Sequence, residues 1–478
     1  MKNNCQNKVS PMNIDLLKNI FFKKIIKSRL FQFMVQLPLV VIFLLVIVAG
    51  IQGIPDPGLN IATIATWTVW WVGIVFLIFF LGAAWCLICP WAALADWIER
   101  LSFWKKTDGI SFEKKWPKFL RNRHPATIFF IVVTWFELGI FITYSPFYTA
   151  YVAFGMLFIT VLITLVYEKK TFCRYFCFVG GIVGMYSNLS PVEIRSKSED
   201  VCKNCKTKDC ITGNEKGYGC PIFEYPGGMN MNSNCILCTE CIKTCPHDNM
   251  TFRLRPFLTD LVSGFKGRFD ESLLILTLLS LTLLHGFTML PIWTTYAGKA
   301  FNEDYYSYML NFTLAELFFC AVVILIHLLL SILIKFSLGK NSNYDLKSIF
   351  TRFSYAFLPI AFFYHLSHNI HHLDMEGLKI VPVLSDPFGY GWNLFGTREW
   401  QPFSIIGMDS MSAVQTFLLL LGFLSATYIA YTTTRLITEN KKSLLPMIPF
   451  ILVAIFYGFV TFTFNFQPMV MRTVSFLG

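Results

Sequence analysis

Charge is what this sequence has least of. Asp, Glu, Lys and Arg together make up 14% of its 478 residues, against 55% hydrophobic residues. So few charges cannot cover the water-facing surface of a chain this long, which excludes an ordinary soluble protein and a disordered one. The sequence also lacks a phosphate-cradling glycine loop, a dinucleotide fingerprint and a nucleophile–base motif, so neither nucleotide-dependent nor nucleophilic chemistry is indicated. It has no short-period repeat, no low-complexity tract and no basic helix suited to DNA, and nucleic acid is not expected as a partner. A mean hydropathy of +0.54 points instead to membrane lipid.

Apolar runs long enough to cross a bilayer, about 20 residues as helix, begin near Phe31, Ile64, Thr127, Ala150, Ser272, Leu310, Phe353, Val414 and Leu444. They predict an α-helical polytopic membrane protein of about nine spans. The first run, Phe31 to about Gly53, is too long for a signal peptide and no small-residue cleavage site follows it, so it reads as a retained span. Lys18, Lys23, Lys24, Lys27 and Arg29 before it place the N-terminus inside. Alternation then puts Lys105, Lys106, Lys114, Lys115, Lys118, Arg121, Arg123, Lys169, Lys170, Arg174, Lys335, Lys340, Lys347, Arg352, Lys441 and Lys442 on the same side. Asp56, Glu303, Asp304, Asp374, Glu376 and Asp386 fall on the other side, where Trp67, Trp70 and Trp71 would form an outer aromatic belt and the C-terminus would end. The expected location is the cytoplasmic (inner) membrane. The expected plan is a basic cytoplasmic tail (1–30), a four-helix bundle (31–190), a polar cytoplasmic domain (191–260) and a five-helix bundle (261–478).

Ten of the 14 cysteines lie between Cys173 and Cys245. The tightest group, Cys235-Ile-Leu-Cys238-Thr-Glu-Cys241-Ile-Lys-Thr-Cys245-Pro246, is the C-x2-C-x2-C-x3-C-P run of two-cluster ferredoxins. Cys202, Cys205, Cys210 and Cys220-Pro221 form a looser partner run. Ferredoxin precedent crosses the fourth ligands: Cys202, Cys205, Cys210 and Cys245 for one [4Fe–4S] cluster, and Cys235, Cys238, Cys241 and Cys220 for the other. Zinc ribbons also use paired C-x2-C, and disulfides are disfavoured by a cytoplasmic setting. Two further pairs, Cys86/Cys89-Pro90 ending the second span and Cys173/Cys177 after the fourth, suit a third cluster, another soft metal, a dithiol couple or plain packing. Cys5 and Cys320 carry no expected ligand role.

These motifs resemble the membrane polyferredoxin family that includes the NapH and NosR type of quinol-dehydrogenase subunits and the oxidase-assembly protein CcoG. The resemblance covers roughly Phe31 to Pro256 and includes Gly180-Gly181 after the second pair. This chain has C-x2-C-P at the first membrane exit, and Phe178 in place of proline at the second, where the family has C-x3-C-P. What the resemblance implies is electron transfer at the cytoplasmic membrane, often between quinol and a respiratory partner; the donor expected is the quinone pool or a cytoplasmic carrier, and another subunit of a respiratory complex is the expected companion.

The last five spans hold His285, His327, His365, His368, His371 and His372. Ionisable groups in lipid are costly and point to function. His365, His368 and His372 share one helical face, and with His285 they could ligate a b-type haem or another metal, line a quinone site, or hydrogen-bond between helices. Glu137 and Glu316, each inside a span, could carry protons for a quinone reaction or pair with a neighbouring hydroxyl. Ser385 to Trp392 reads as an ordered loop over the outer end. Lys203, Lys206, Lys208 and Lys243 surround the cysteine runs and could raise a cluster potential or dock an acidic carrier. The leading expectation is an iron–sulfur electron relay. The alternatives are a copper-reducing assembly factor and a redox sensor.

Overall fold

The computed structural model describes residues 14–339, 342–438 and 444–467. Cys5, Lys340, Lys441, Lys442 and the chain's C-terminus lie outside the described residues. The protein is mostly helical, and among the described residues seven helices are long and apolar enough to cross a membrane: Arg29–Gln52, Ile61–Leu81, Pro146–Val166, Phe269–Thr288, Tyr305–Leu338, Asp409–Ile437 and Met447–Asn465. Two of the nine expected runs differ for physical reasons. The run near Thr127 forms a shorter apolar helix, His124–Gly139. The run near Phe353 breaks into Leu346–Ser354, a 3-10 turn and Leu358–Glu376. That last helix carries four histidines, and its first seven residues are all buried, so the other helices shield it.

Hydrophobic packing joins both bundles and the cysteine domain in one core, with Trp71, Met185, Ile194, Leu278, Phe357 and Tyr457 in the same cluster. The second span stops earlier than expected. It ends at Leu81 because Gly82 takes φ +58, where an added Cβ would meet the Ser190 Oγ at 2.6 Å. Cys86 therefore sits on a separate short helix, Ala84–Ile88, and Cys89 begins the helix Pro90–Arg100. Proline suits that first helical position because its missing N–H has no partner there anyway. The aromatic-belt expectation fails for Trp67 and Trp71, which are buried; the Trp67 indole N–H donates to Thr149 Oγ1 at 2.8 Å.

The polar insert contains strands β2 (Val192–Ser196) and β3 (Met250–Leu254), paired antiparallel with Ile194 opposite Phe252. A third strand, β1 (Ile14–Asp15), pairs with β3 on its other side, giving the order β1-β3-β2. From Ile14 onward the expected basic tail is thus part of the domain. The helix Ile20–Lys27 follows and packs Phe22 on Phe252, with ring centroids 5.9 Å apart. Lys23 and Lys27 bond Asp248 at 2.6 and 2.9 Å.

The Lys23 hydrogen bond, then Lys27, hold the Asp248 carboxyl down to about 2. A depressed carboxylate pKa gives stabilisation that is complete above the unfolded value, about 3.9, and is lost as pH falls through the folded one. Hydrogen exchange in 20–27 should therefore stay constant from pH 7 to about 5 and accelerate toward pH 2, relative to intrinsic rates. Asp248→Asn should remove that step.

The opposite end of the molecule is closed by the Ser385–Trp392 segment. It crosses to the first bundle, where Ile54 N donates to Phe388 O at 2.9 Å and Ile61 N to Pro387 O at 3.1 Å. Asp386 shapes the turn by accepting from the N–H groups of Tyr390 and Gly391 at 2.9 and 2.7 Å.

Candidate metal centre

Twelve cysteines converge on three cavities. The first is lined by Cys202, Cys205, Cys210 and Cys245, and the second by Cys220, Cys235, Cys238 and Cys241. The third, at the junction of the first bundle with the polar domain, is lined by Cys86, Cys89, Cys173 and Cys177. Cys320 is buried in the span Tyr305–Leu338, away from all three. All the described cysteines are free thiols.

The local chain explains how each set forms. Cys241 lies on the one-turn helix Glu240–Thr244 and Cys245 is its C-cap, so residues four apart on one helical face serve adjacent cavities. Cys220 N donates to Cys210 O at 2.8 Å, tying the other two lining segments together. Asn249 N donates to Cys245 Sγ at 3.3 Å and Glu224 N to Cys220 Sγ at 3.3 Å, each four residues beyond its cysteine. Asn249 Nδ2 adds a bond to Cys202 Sγ at 3.2 Å. N–H donors aimed at sulfur favour thiolate and raise the potential of a bound cluster.

In the third cavity two helix N-termini face the sulfurs. Cys89 and Cys177 occupy the N-cap positions of Pro90–Arg100 and Phe178–Tyr186, and Gly180 N donates to Cys177 Sγ at 3.3 Å. Unpaired amide groups and the positive end of each helix favour negative charge at that spot. Cys173 sits in the π-helical turn Phe172–Phe176. Two more such turns, Ile64–Trp70 and Trp135–Gly139, present Trp67, Trp70 and Glu137 to a neighbouring cavity; sequence reading missed these turns.

Burial pushes the Cys210 and Cys235 thiols up to about 11 and the Cys241 thiol well above its usual range. Cys205 shifts down, chiefly because the Lys208 N–H donates to it. Four thiolates lining one cavity need positive charge at its centre, which iron supplies when bound. Among the described residues no three Cys, His, Asp or Glu side chains approach as closely as a single metal ion requires.

Two stretches of the chain, residues 63–108 and 149–195, match the family model of a 4Fe-4S binding domain. The chain carries a 4Fe-4S binding domain. The matched stretches contain Cys86, Cys89, Cys173 and Cys177 and lie outside the Cys202–Cys245 run. No curated protein and no solved structure matches the chain.

Around this domain, cations expected in loops grip the cysteine segment instead. Lys169 Nζ donates to Ile211 O at 2.6 Å and Cys220 O at 3.1 Å, and Arg123 Nη2 to Ser233 O at 2.9 Å. Lys106 reaches Asn214 O at 3.0 Å, and Arg174 bonds Ile222 O. Lys243 is not a docking residue: it is buried and paired with Glu240 at 2.7 Å. Lys203 and Lys206 are exposed on either side of Cys205.

The histidines divide. His327 bonds Phe350 O at 2.8 Å through Nε2 and is a helix-to-helix tie. His285 and His368 meet edge to face with centroids 5.0 Å apart, too close to admit a porphyrin between them. His365 packs instead against Trp71 and Tyr186, 6.2 Å from each. The expected metal set His285, His365 and His368 is not brought to one point. Glu316 is buried in its helix, whereas Glu137 lines a cavity.

Proposed function

We propose that the protein is a membrane electron relay with three [4Fe–4S] clusters, two held crosswise by the ferredoxin-type run and a third by Cys86, Cys89, Cys173 and Cys177. The observation that carries this reading is the continuity of the three cavities. Cys210 and Cys220, from adjacent cavities, share a backbone hydrogen bond. Ile236 lines the third cavity and also lies between Cys235 and Cys238 of the second, in one hydrophobic cluster with Cys220 and Cys86. Electrons would step from cavity to cavity without leaving the protein.

The line has two ends with different chemistry. Cys205 lies beside the exposed Lys206 and beside Lys203, which is paired with Glu199 and Asp200 at 3.6 Å, a mixed-charge polar surface at which a soluble redox protein could dock. At the other end, the cysteine cavity shares Trp91, Met156 and Val179 with an apolar cavity lined by Trp67, Trp70, Trp71 and Glu137. Flat indoles and one carboxyl suit a quinone head group. This agrees with the resemblance to quinol-dehydrogenase subunits, and with a cytoplasmic membrane in which the cysteine domain faces the cytoplasm.

Protein purified without oxygen should contain roughly twelve iron and twelve acid-labile sulfide per chain. Roughly eight of each would restrict clusters to the ferredoxin-type run. Zinc without sulfide would defeat the relay.

A further inference from the structure

A row of buried and part-buried ionisable side chains runs from the tryptophan cavity to the far end of the molecule. Trp71, one wall of the Glu137 cavity, lies against His365, with ring centroids 6.2 Å apart. His368 is the next residue on that helical face, three positions on. The His368 and His372 rings are 4.9 Å apart, and His285 meets His368 from the neighbouring helix at 5.0 Å. His372 Nδ1 then stands 3.8 Å from Glu376 Oε2, and Glu376 is 3.7 Å from the half-exposed Lys379. Polar side chains hold this helix in register: Gln415 Nε2 donates to Ser367 O at 3.1 Å and Asn465 Nδ2 to Ser367 Oγ at 2.7 Å. Its end is pinned where Asp374 accepts from Ile405 N and Ile406 N, each at 2.8 Å.

We propose that His365, His368, His372 and Glu376, with His285 as a side partner, form a proton path joining the Glu137 cavity to the end of the protein opposite the cysteine domain. Burying His368 and His372 beside the part-buried His365 on one face of one helix is costly, and packing alone would be served better by leucine. No single ion explains them, because no three such side chains among the described residues meet at ion-binding distance. An imidazole accepts a proton at one ring nitrogen and releases one from the other, so a row of them carries protons without a net change in any member. Water in the cavity can bridge the step past Trp71.

The proposal rests on the quinol reading for its proton source. A quinol that loses two electrons to the iron–sulfur line must also lose two protons. Each would pass to the Glu137 carboxylate, move along the row by exchange of N–H bonds, and leave at Glu376. Electrons and protons would then depart in opposite directions.

The test uses the full cluster-loaded protein in lipid vesicles transferred into D2O and followed by infrared spectroscopy. The carboxylic C=O band of Glu137 is identified by its loss in Glu137→Gln. His368→Gln and His372→Gln keep size and hydrogen bonding but cannot relay. Each should slow deuterium exchange of that band by about a hundredfold, the lower end of what a positioned proton-transfer group contributes. His327→Gln, off the row, should leave it unchanged, and equal iron and sulfide in all variants reports intact folding. Unchanged exchange in both row variants would overturn the path, as would the absence of any Glu137 carboxylic band at every pH. Bleaching of the clusters by quinol in the same samples separates the two ideas. Normal bleaching with His-independent exchange defeats the path alone. His-dependent exchange without bleaching defeats the quinol reading and leaves the path.

Discussion

Cys177→Ser is expected to lower iron and sulfide from roughly twelve to roughly eight per chain while leaving the ferredoxin-type pair filled. The serine hydroxyl still accepts from Gly180 N, so the N-cap of Phe178–Tyr186 survives and the helix stays in place. What is lost is one of four thiolates around a cavity whose other walls are apolar. The functional consequence is larger than the loss of metal. The cysteine domain should still be reduced by dithionite, but reoxidation through the membrane bundle should stop, because the cavity that adjoins both Ile236 and Trp91 no longer holds a cluster. Stopped-flow reoxidation by a soluble quinone measures this. Unchanged kinetics in a protein with eight iron would mean that electrons never pass through that site.

Arg255→Met should destabilise the cysteine domain by about 3–5 kcal/mol, the cost of stranding buried charge. Arg255 Nη1 bonds Glu193 Oε2 at 2.6 Å and Arg255 Nη2 bonds Asp260 Oδ2 at 2.8 Å, and all three side chains are 2% exposed. Burial alone would lower the Arg255 pKa, but Asp260 and Glu193 outweigh it and hold the guanidinium charged. Arg195 stays near Asp260 at 3.2 Å and Arg253 near Glu193 at 2.5 Å, so the stranding is partial and lies within that range. Thermal loss of cluster absorbance, compared with wild type, reads the effect. Adding Asp260→Asn removes one stranded charge and should recover part of it. A shift below about 1 kcal/mol would mean that the network contributes only what exposed ion pairs do.

The two four-cysteine sets of the polar domain could be read from the sequence because their ligands are close in the chain and the spacing carries the geometry. The third set could be read only as two pairs near span ends, since nothing local says that two helices bring them together. Trp67 and Trp71 lie inside rather than in an outer belt for a different reason: a helix that is apolar all round gives no signal of which side faces lipid. The π-helical turns that aim Glu137 and Cys173 have no sequence mark. Strand β1 is two residues long, too short for an alternating pattern to reveal it. His327 and His368 look alike in an apolar run, and only packing shows that one is a tie and the other part of a row.

Five basic side chains, Lys106, Arg123, Lys169, Arg174 and Arg29, hold main-chain carbonyls of the cysteine domain, while β1 clasps its sheet from the far edge. Many redox modules hang on linkers and ferry charge by swinging between docking points. A module gripped in this way has no such freedom, so the gaps its electrons cross are constants of the fold. In the proposed relay, the slow event left to it would be the arrival and departure of a soluble carrier. Throughput should therefore follow carrier concentration and ionic strength, and viscosity only to the extent that it slows that encounter.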